Sequence, residues 1–264
     1  APTAAGKTRV VEAFFANNIT QNTFRACYTC PVKSLANDKL RELRELFGTT
    51  NVGITTGDTK ENIHAPIIVA TLETYRNSLL GIDPDLDRNI VIFDEYHFLN
   101  DPSRGSAWEE SIILTPAKSQ VLLMSASIAN SLDFKNWLTK IMNRTTKLIQ
   151  VEKRPVPLIN LVWFKNTWLL SEYLPRKLSR HKNSYLARVS PHQLTKQLQV
   201  LRQLKLTPAI IYTGSRLSTK DLAYYLADHI SPLSPTRSAQ LEEKLNFLYE
   251  QTGAFSLMPP SLQK

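Results

Sequence analysis

The chain has 264 residues, 42% hydrophobic and 21% charged, and its 32 Lys and Arg against 23 Asp and Glu give a formal net charge of +9. Length and apolar content suffice for one large or two modest folded domains and exclude an intrinsically disordered chain. No apolar run approaches the ~20 residues of a membrane span, and no basic start with an apolar middle and small-residue cleavage site marks a secretory signal, so the expectation is a soluble intracellular chain, cytoplasmic and without a membrane partner.

The first eight residues, APTAAGKT, match the phosphate-binding pattern G-x-x-x-x-G-K-[ST] at every fixed position except the first, where Ala1 stands for glycine. Such a loop normally leaves a β-strand, and none precedes it here, so the sequence reads as a fragment cut just before the motif. Gly6 lets the backbone approach a phosphate, and KTRVVEAFFANN reads as a helix whose free N–H groups and positive dipole end face the anion. The candidate ATP-binding residues are therefore Thr3, Ala4, Ala5, Gly6, Lys7 and Thr8. Lys7 would reach the β- and γ-phosphates, and the Thr8 hydroxyl would ligate Mg²⁺. A chance Gly-Lys-Thr at a helix start is the competing reading, and a second motif is needed to decide.

Further along, short apolar runs alternate with helical patterns. FRACYTC, NVGIT, PIIVA, NIVIFDE and QVLLMSA read as strands, with KSLANDKLRELRELF, LETYRNSLL, AWEESIILT and SLDFKNWLTKIM as the helices between them. Continuously apolar strands between helices indicate a parallel sheet covered on both faces, a doubly wound α/β domain over residues 1–146. Cys27 and Cys30 form a C-x-x-C, but no second pair or histidine cluster completes a zinc site, so they read as two reduced strand thiols.

Residues 147–190 carry three prolines in RPVPLINLVWFKNTWLLSEYLP, few acids and no helix period, and read as a linker or excursion. A second, incomplete α/β unit is expected over residues 191–264, with AIIYT as its first core strand. The basic excess is local. Residues 1–140 hold 14 Lys and Arg against 16 Asp and Glu, while residues 141–220 hold 15 against only Glu152 and Glu172. A basic face touching a polyanion is the reading that fits, with a merely soluble basic surface as the alternative.

The deciding motif is NIVIFDEYH. Asp94 and Glu95 follow a four-residue apolar strand, which delivers two carboxylates to the C-terminal edge of a sheet, where ligands bind in α/β folds. Asp94 would hold Mg²⁺ through water, and Glu95 would orient and deprotonate an attacking water. With Lys7, these two are the candidate catalytic residues.

In this setting DEYH resembles motif II of the superfamily 2 DExH helicases, and NDPSRGSAWEE resembles their superkiller-like branch of RNA helicases and its archaeal DNA-repair relatives. The resemblance runs from residue 1 to about 216. CPVKSLANDK is similar to motif Ia, TTGD and TLETYRN to motif Ib and its neighbour, SASIAN to motif III, KRPVPL to the interdomain arginine-proline segment and IIYTGSR to motif IV. It implies two RecA-like lobes, ATP with Mg²⁺, and a nucleic-acid partner, RNA favoured over DNA.

The nucleic-acid track so implied comprises Pro31, Lys33, Ser34, Asn37, Thr56, Gly57, Asp58, Thr71, Glu73, Arg76, Asn77, Arg154, Ser215 and Arg216, mostly touching phosphates and so with little sequence preference. Ser125, Ala126 and Ser127 resemble the S-A-T linker between the ATP and nucleic-acid sites, and His97 would couple motif II to it by a hydrogen bond. Trp108, Glu109 and Glu110 read as helix packing and surface. No Q-x-x-G-R-x-G-R-like stretch precedes Lys264, and no adenine-reading segment precedes Ala1, so a fragment lacking the arginine finger is expected, with feeble hydrolysis of its own. A DNA helicase or non-unwinding translocase, and a nucleic-acid-binding module without turnover, are the alternative readings.

Overall fold

A computed structural model describes residues 1–82, 88–102, 104–126, 130–164, 166–170, 190–207, 209–213, 215–229 and 235–252. The chain divides into two compact units, residues 1–158 and 159–264.

In the first unit the expected alternation forms a doubly wound sheet. Its strands are β1 (Ala26–Cys30), β2 (Val52–Thr55), β3 (Lys60–Glu61), β4 (Ile67–Thr71), β5 (Ile90–Asp94) and β6 (Gln120–Met124). They lie in the order β3-β2-β4-β1-β5-β6, and every pairing is parallel except the short β2–β3 hairpin. The helices are α1 (Lys7–Asn18), α2 (Lys33–Phe47), α3 (Leu72–Leu79), α4 (Gly105–Leu114) and α5 (Ser131–Ile141).

Strand alternation sorts the central side chains into two cores. Tyr28, Cys30, Ile67, Val69 and Ile92 pack with Val11 and Phe15 of α1 and Ala36 and Leu43 of α2. Cys27, Ile68, Ala70, Val91 and Phe93 pack on the opposite face with Tyr75 of α3, Trp108 and Ile112 of α4 and Leu138 of α5. The two cysteines, three residues apart, thus face opposite sides of the sheet and cannot share a ligand.

A glycine is required inside β2. A Cβ on Gly53 would lie 2.1 Å from the Asn62 carbonyl oxygen, because the chain leaving β3 crosses directly over it. The β2–β3 turn is closed by Thr56 N–H donating to the Thr59 carbonyl (2.7 Å) and Thr59 N–H donating to Thr56 Oγ1 (3.1 Å).

The second unit departs from the sequence reading in two places. Residues 161–170, read as part of a linker, form an antiparallel hairpin of β7 (Leu161–Phe164) and β8 (Thr167–Leu170). Asn166 takes the positive φ of 62° that a tight hairpin turn needs, and Trp163 and Trp168 meet edge to face across the strands at 5.3 Å. The hairpin is tied to α6 (Pro191–Gln203) by Trp168 Nε1, which donates to the Gln197 carbonyl at 3.4 Å. Ser190 and Gln193 form a full capping box at the start of that helix. The expected strand AIIYT is not formed: the described residues of 209–213 are irregular, and Ile210 and Tyr212 are 81% and 88% exposed. An apolar run becomes a strand only against a hydrogen-bonding neighbour, and none pairs with it among the described residues. Two further helices, α7 (Arg216–His229) and α8 (Pro235–Thr252), complete the described chain.

Trp108 is 1% exposed, with its ring 6.3 Å from that of Phe93. Trp108→Ala is expected to destabilise the chain by about 3–5 kcal/mol, while Leu46→Ala, at a half-exposed position of α2, changes stability by no more than about 0.5 kcal/mol; urea titration followed by circular dichroism measures both.

Candidate nucleotide and nucleic-acid site

Two loops meet at the C-terminal edge of the first unit's sheet. The first, residues 1–6, leads into α1. Ala4 and Gly6 take positive φ of 63° and 81°, and Gly6 is the N-cap of α1. Gly6 offers no side chain to the helix end, and the first turn holds no acidic residue, so the positive end of α1 is left for an external anion. Lys7 Nζ turns back on this loop, donating to the carbonyls of Ala1 (3.1 Å) and Pro2 (3.2 Å). Thr8 follows on the first turn and is half-buried, whereas Thr3 and Ala4 are exposed and Ala5 is half-buried. The Ala1 nitrogen donates to the Ser125 carbonyl, one residue past β6, at 3.2 Å, which places this loop at the same sheet edge as the β-strand exits.

The second loop follows β5. Asp94 ends the strand on the face of α1 and α2, two residues beyond Ile92, and its Oδ1 accepts from Glu95 N–H at 2.9 Å. Its Oδ2 accepts from the Tyr28 phenol at 2.5 Å. Burial, and then the neighbouring Asp94 charge and the bond to it, push the Tyr28 hydroxyl far above its usual range, so it remains a donor. Glu95 adopts the left-handed conformation (φ 56°, ψ 41°), at a cost of about 1–2 kcal/mol for a residue with a Cβ.

Glu95 Oε2 lies 3.1 Å from His97 Nδ1, yet the angles do not make a hydrogen bond, and among the described residues this buried oxygen has no hydrogen-bond partner. Distance alone does not satisfy the oxygen. His97 Nδ1 also lies 3.4 Å from Ser125 Oγ, so Glu95, His97 and Ser125 form a chain of contacts between the β5 and β6 exits. Ala126 follows half-buried, and Ser127 lies outside the described residues.

These residues fit Mg²⁺-ATP. The donor set is oxygen-only, from Thr8 and Asp94, which suits a hard cation that shares phosphate oxygens and needs only one or two carboxylates. Glu95 adds an orphaned carboxylate oxygen close to Asp94. Among the described residues no three His, Cys, Asp or Glu side chains cluster as an independent metal cage.

The residues assigned to nucleic acid divide into displayed and internally engaged groups. Lys33, Ser34 and Asn37 are exposed at the start of α2, and the Lys33 amine is paired with Asp58, beside Gly57. Pro31 is buried, and its carbonyl accepts from Arg104 Nη1 at 3.1 Å. Thr56 and Thr71 are 3% and 4% exposed, and both hydroxyls serve the fold: Thr56 closes its turn, and Thr71 caps α3 by accepting from Thr74 N–H at 3.4 Å. Glu73 is half-buried on α3; Arg76 contacts Asn77 Oδ1 (3.2 Å) and Glu110 (3.6 Å). Arg154 is exposed in the first unit. Ser215 and Arg216 belong to the second unit, where Ser215 Oγ accepts from Ser218 N–H (3.1 Å) at the start of α7. Arg176, Lys177, Arg180 and Lys182 of the basic segment lie outside the described residues. Tyr28 was missed by the sequence reading; the signal was a phenol in a strand of a sheet expected to be covered on both faces, since a buried tyrosine hydroxyl requires a partner.

A parallel sheet with a glycine-led helix N-terminus and an Asp–Glu pair on one edge is the arrangement of phosphate-loop nucleotide-binding proteins. Residues 1–134 match the DEAD/DEAH box helicase family, and the chain belongs to that family. It is similar to the antiviral helicase SKI2 of Saccharomyces cerevisiae (38% identity over 188 residues, 69% of this chain and 14% of that protein). The ATP-dependent RNA helicase mtr4 of Schizosaccharomyces pombe is 42% identical over 160 residues (60% and 14%), and the superkiller complex protein 2 of Homo sapiens 32% over 248 residues (82% and 20%). The chain thus spans about a seventh to a fifth of these relatives' lengths. Among solved structures, the helicase Lhr of Mycobacterium smegmatis bound to ssDNA and AMP-PNP shares the fold, with a TM-score of 0.59 at 18% identity over 93% of this chain and 35% of that one. No helix among the described residues is long and apolar enough to cross a membrane.

Burial holds both thiols protonated, Cys27 pushed up to about 12 and Cys30 raised as well. At pH 8 excess iodoacetamide is therefore expected to leave the native chain unlabelled, whereas the urea-unfolded chain takes two labels; mass spectrometry counts them.

Proposed function

We propose that this chain supplies the ATP-binding lobe, residues 1–146, and part of the second lobe, residues 191–264, of an ATP-dependent RNA helicase, joined by the segment 147–190. The observation that carries the reading is the convergence of the Gly6–Lys7–Thr8 helix start and the Asp94–Glu95 strand exit on one sheet edge, with Glu95 holding an unsatisfied buried oxygen. The name of the mtr4 relative, an ATP-dependent RNA helicase, supports RNA as the polymer.

Lys7, whose amine donates among the described residues to the carbonyls of its own loop, would exchange them for the β- and γ-phosphate oxygens. The free N–H groups of α1 would bind the same phosphates, and Thr8 Oγ1 and Asp94 would hold Mg²⁺. Bound Mg²⁺ supplies neutralisation of the charge that develops on the phosphates. Glu95 orients a water at the γ-phosphorus and takes its proton as the bond to the β-phosphate oxygen breaks. His97 and Ser125 connect that carboxylate to the β6 exit, the segment that resembles motif III.

Two substitutions separate binding from chemistry. Lys7→Ala is expected to abolish measurable affinity for a fluorescent ATP analogue, whereas Glu95→Gln keeps that affinity and slows hydrolysis by about 10²–10⁴-fold. Undiminished affinity in the first variant removes the phosphate-loop assignment.

For the polymer, single-stranded RNA of differing sequence is expected to bind alike, with affinity falling by about 0.7 log unit per log unit of salt for each phosphate neutralised. Changing Arg176, Lys177, Arg180 and Lys182 together to glutamate should flatten the slope, read by fluorescence anisotropy at several salt concentrations. An unchanged slope takes this cluster out of the RNA path.

A further inference from the structure

We infer that Tyr28 is a positioning residue for the magnesium ligand Asp94, setting the orientation of its carboxylate from within the sheet. The inference rests on the function proposed above and adds to it a residue outside the phosphate loop and the Asp–Glu motif.

The placement follows from strand register. Tyr28 on β1 pairs with Ile92 on β5, so Tyr28 and Asp94 project from the same sheet face two residues apart, about 6–7 Å along the strand direction. A phenol can bridge that span; shorter polar side chains at position 28 cannot. The ring is fully buried and fixed. It packs with Phe15 of α1 and Ala36 and Leu43 of α2, and Lys39 Nζ stands 5.4 Å from its centroid.

A carboxylate has about four lone-pair sites. In Asp94 one on each oxygen is taken, by Tyr28 Oη–H at 2.5 Å and by Glu95 N–H at 2.9 Å. Two donors on two oxygens fix both position and twist of the carboxylate plane, and the remaining lone pairs are left for the ion's water shell. Backbone N–H alone anchors a single oxygen and leaves rotation about the Cβ–Cγ bond free. Partners that orient a metal ligand typically contribute 10–100-fold in metal affinity.

The test is Tyr28→Phe, which keeps the ring and its packing and removes only the donor. Binding of a fluorescent ATP analogue to the full chain is titrated with and without Mg²⁺, and thermal unfolding is followed in parallel. The expected result is a half-saturating Mg²⁺ concentration raised about tenfold, with affinity in EDTA unchanged. Because the readout compares two affinities within one protein, a lowered fraction of folded chain cancels. An unchanged Mg²⁺ requirement, or an equal loss of affinity with and without the ion, overturns the inference and leaves Tyr28 as core packing. Asp94→Asn serves as the reference: if it too leaves the Mg²⁺ requirement unaltered, it is the assignment of Asp94 that fails, whereas a raised requirement in Asp94→Asn alone rejects only the role of Tyr28.

Discussion

The in-register pairing of β1 with β5 is the constraint on which the rest of the first unit depends. Both strands run through the middle of a parallel sheet, covered on both faces, so each side chain belongs to one of two cores and has no tolerance for slippage. A shift of one residue would send Asp94 to the α3–α4 face, away from α1 and from Tyr28. The carboxylates thus owe their placement to Val91, Ile92 and Phe93, all 1% exposed or less, which carry no chemistry themselves.

Around that fixed edge, polar groups are arranged so that some are satisfied and some are not. Asp94 has both oxygens engaged, while Glu95 one residue on has a buried oxygen without a partner and a backbone in the left-handed region. Strain and unmet hydrogen-bonding capacity of this kind gather where a ligand completes the structure. The neighbouring residues that look alike in sequence, Thr56 and Thr71, show the opposite economy: their hydroxyls are spent on a turn and a helix cap. Their contribution to any strand-binding surface comes through the shape of the loops they hold.

Much of this was legible in advance. The parallel sheet was readable because central strands such as IIVA and IVIF are apolar without alternation, and α2 because its apolar residues recur at helical spacing between charged ones. The Gly6–Lys7–Thr8 helix start and the Asp94–Glu95 strand exit were readable as types of residue at fixed offsets from a helix start and a strand end. The hairpin at residues 161–170 was not, because the prolines upstream and the lack of a helix period outweighed the aromatic alternation that makes it. The strand expected at residues 209–213 failed for the converse reason: local propensity cannot supply the neighbour that a strand needs. Tyr28 was invisible because its role depends on a residue 66 positions away.

The crossing of the β3 exit over Gly53 has a consequence for how this domain can vary. Every residue other than glycine carries a Cβ, and that atom would sit 2.1 Å from a backbone carbonyl that no rotamer change can move. A side chain at position 53 therefore forces the backbone leaving β3 to shift, although the position itself carries no chemistry. Strand and returning chain thus pack backbone to backbone there, with no side chain between them to absorb a change.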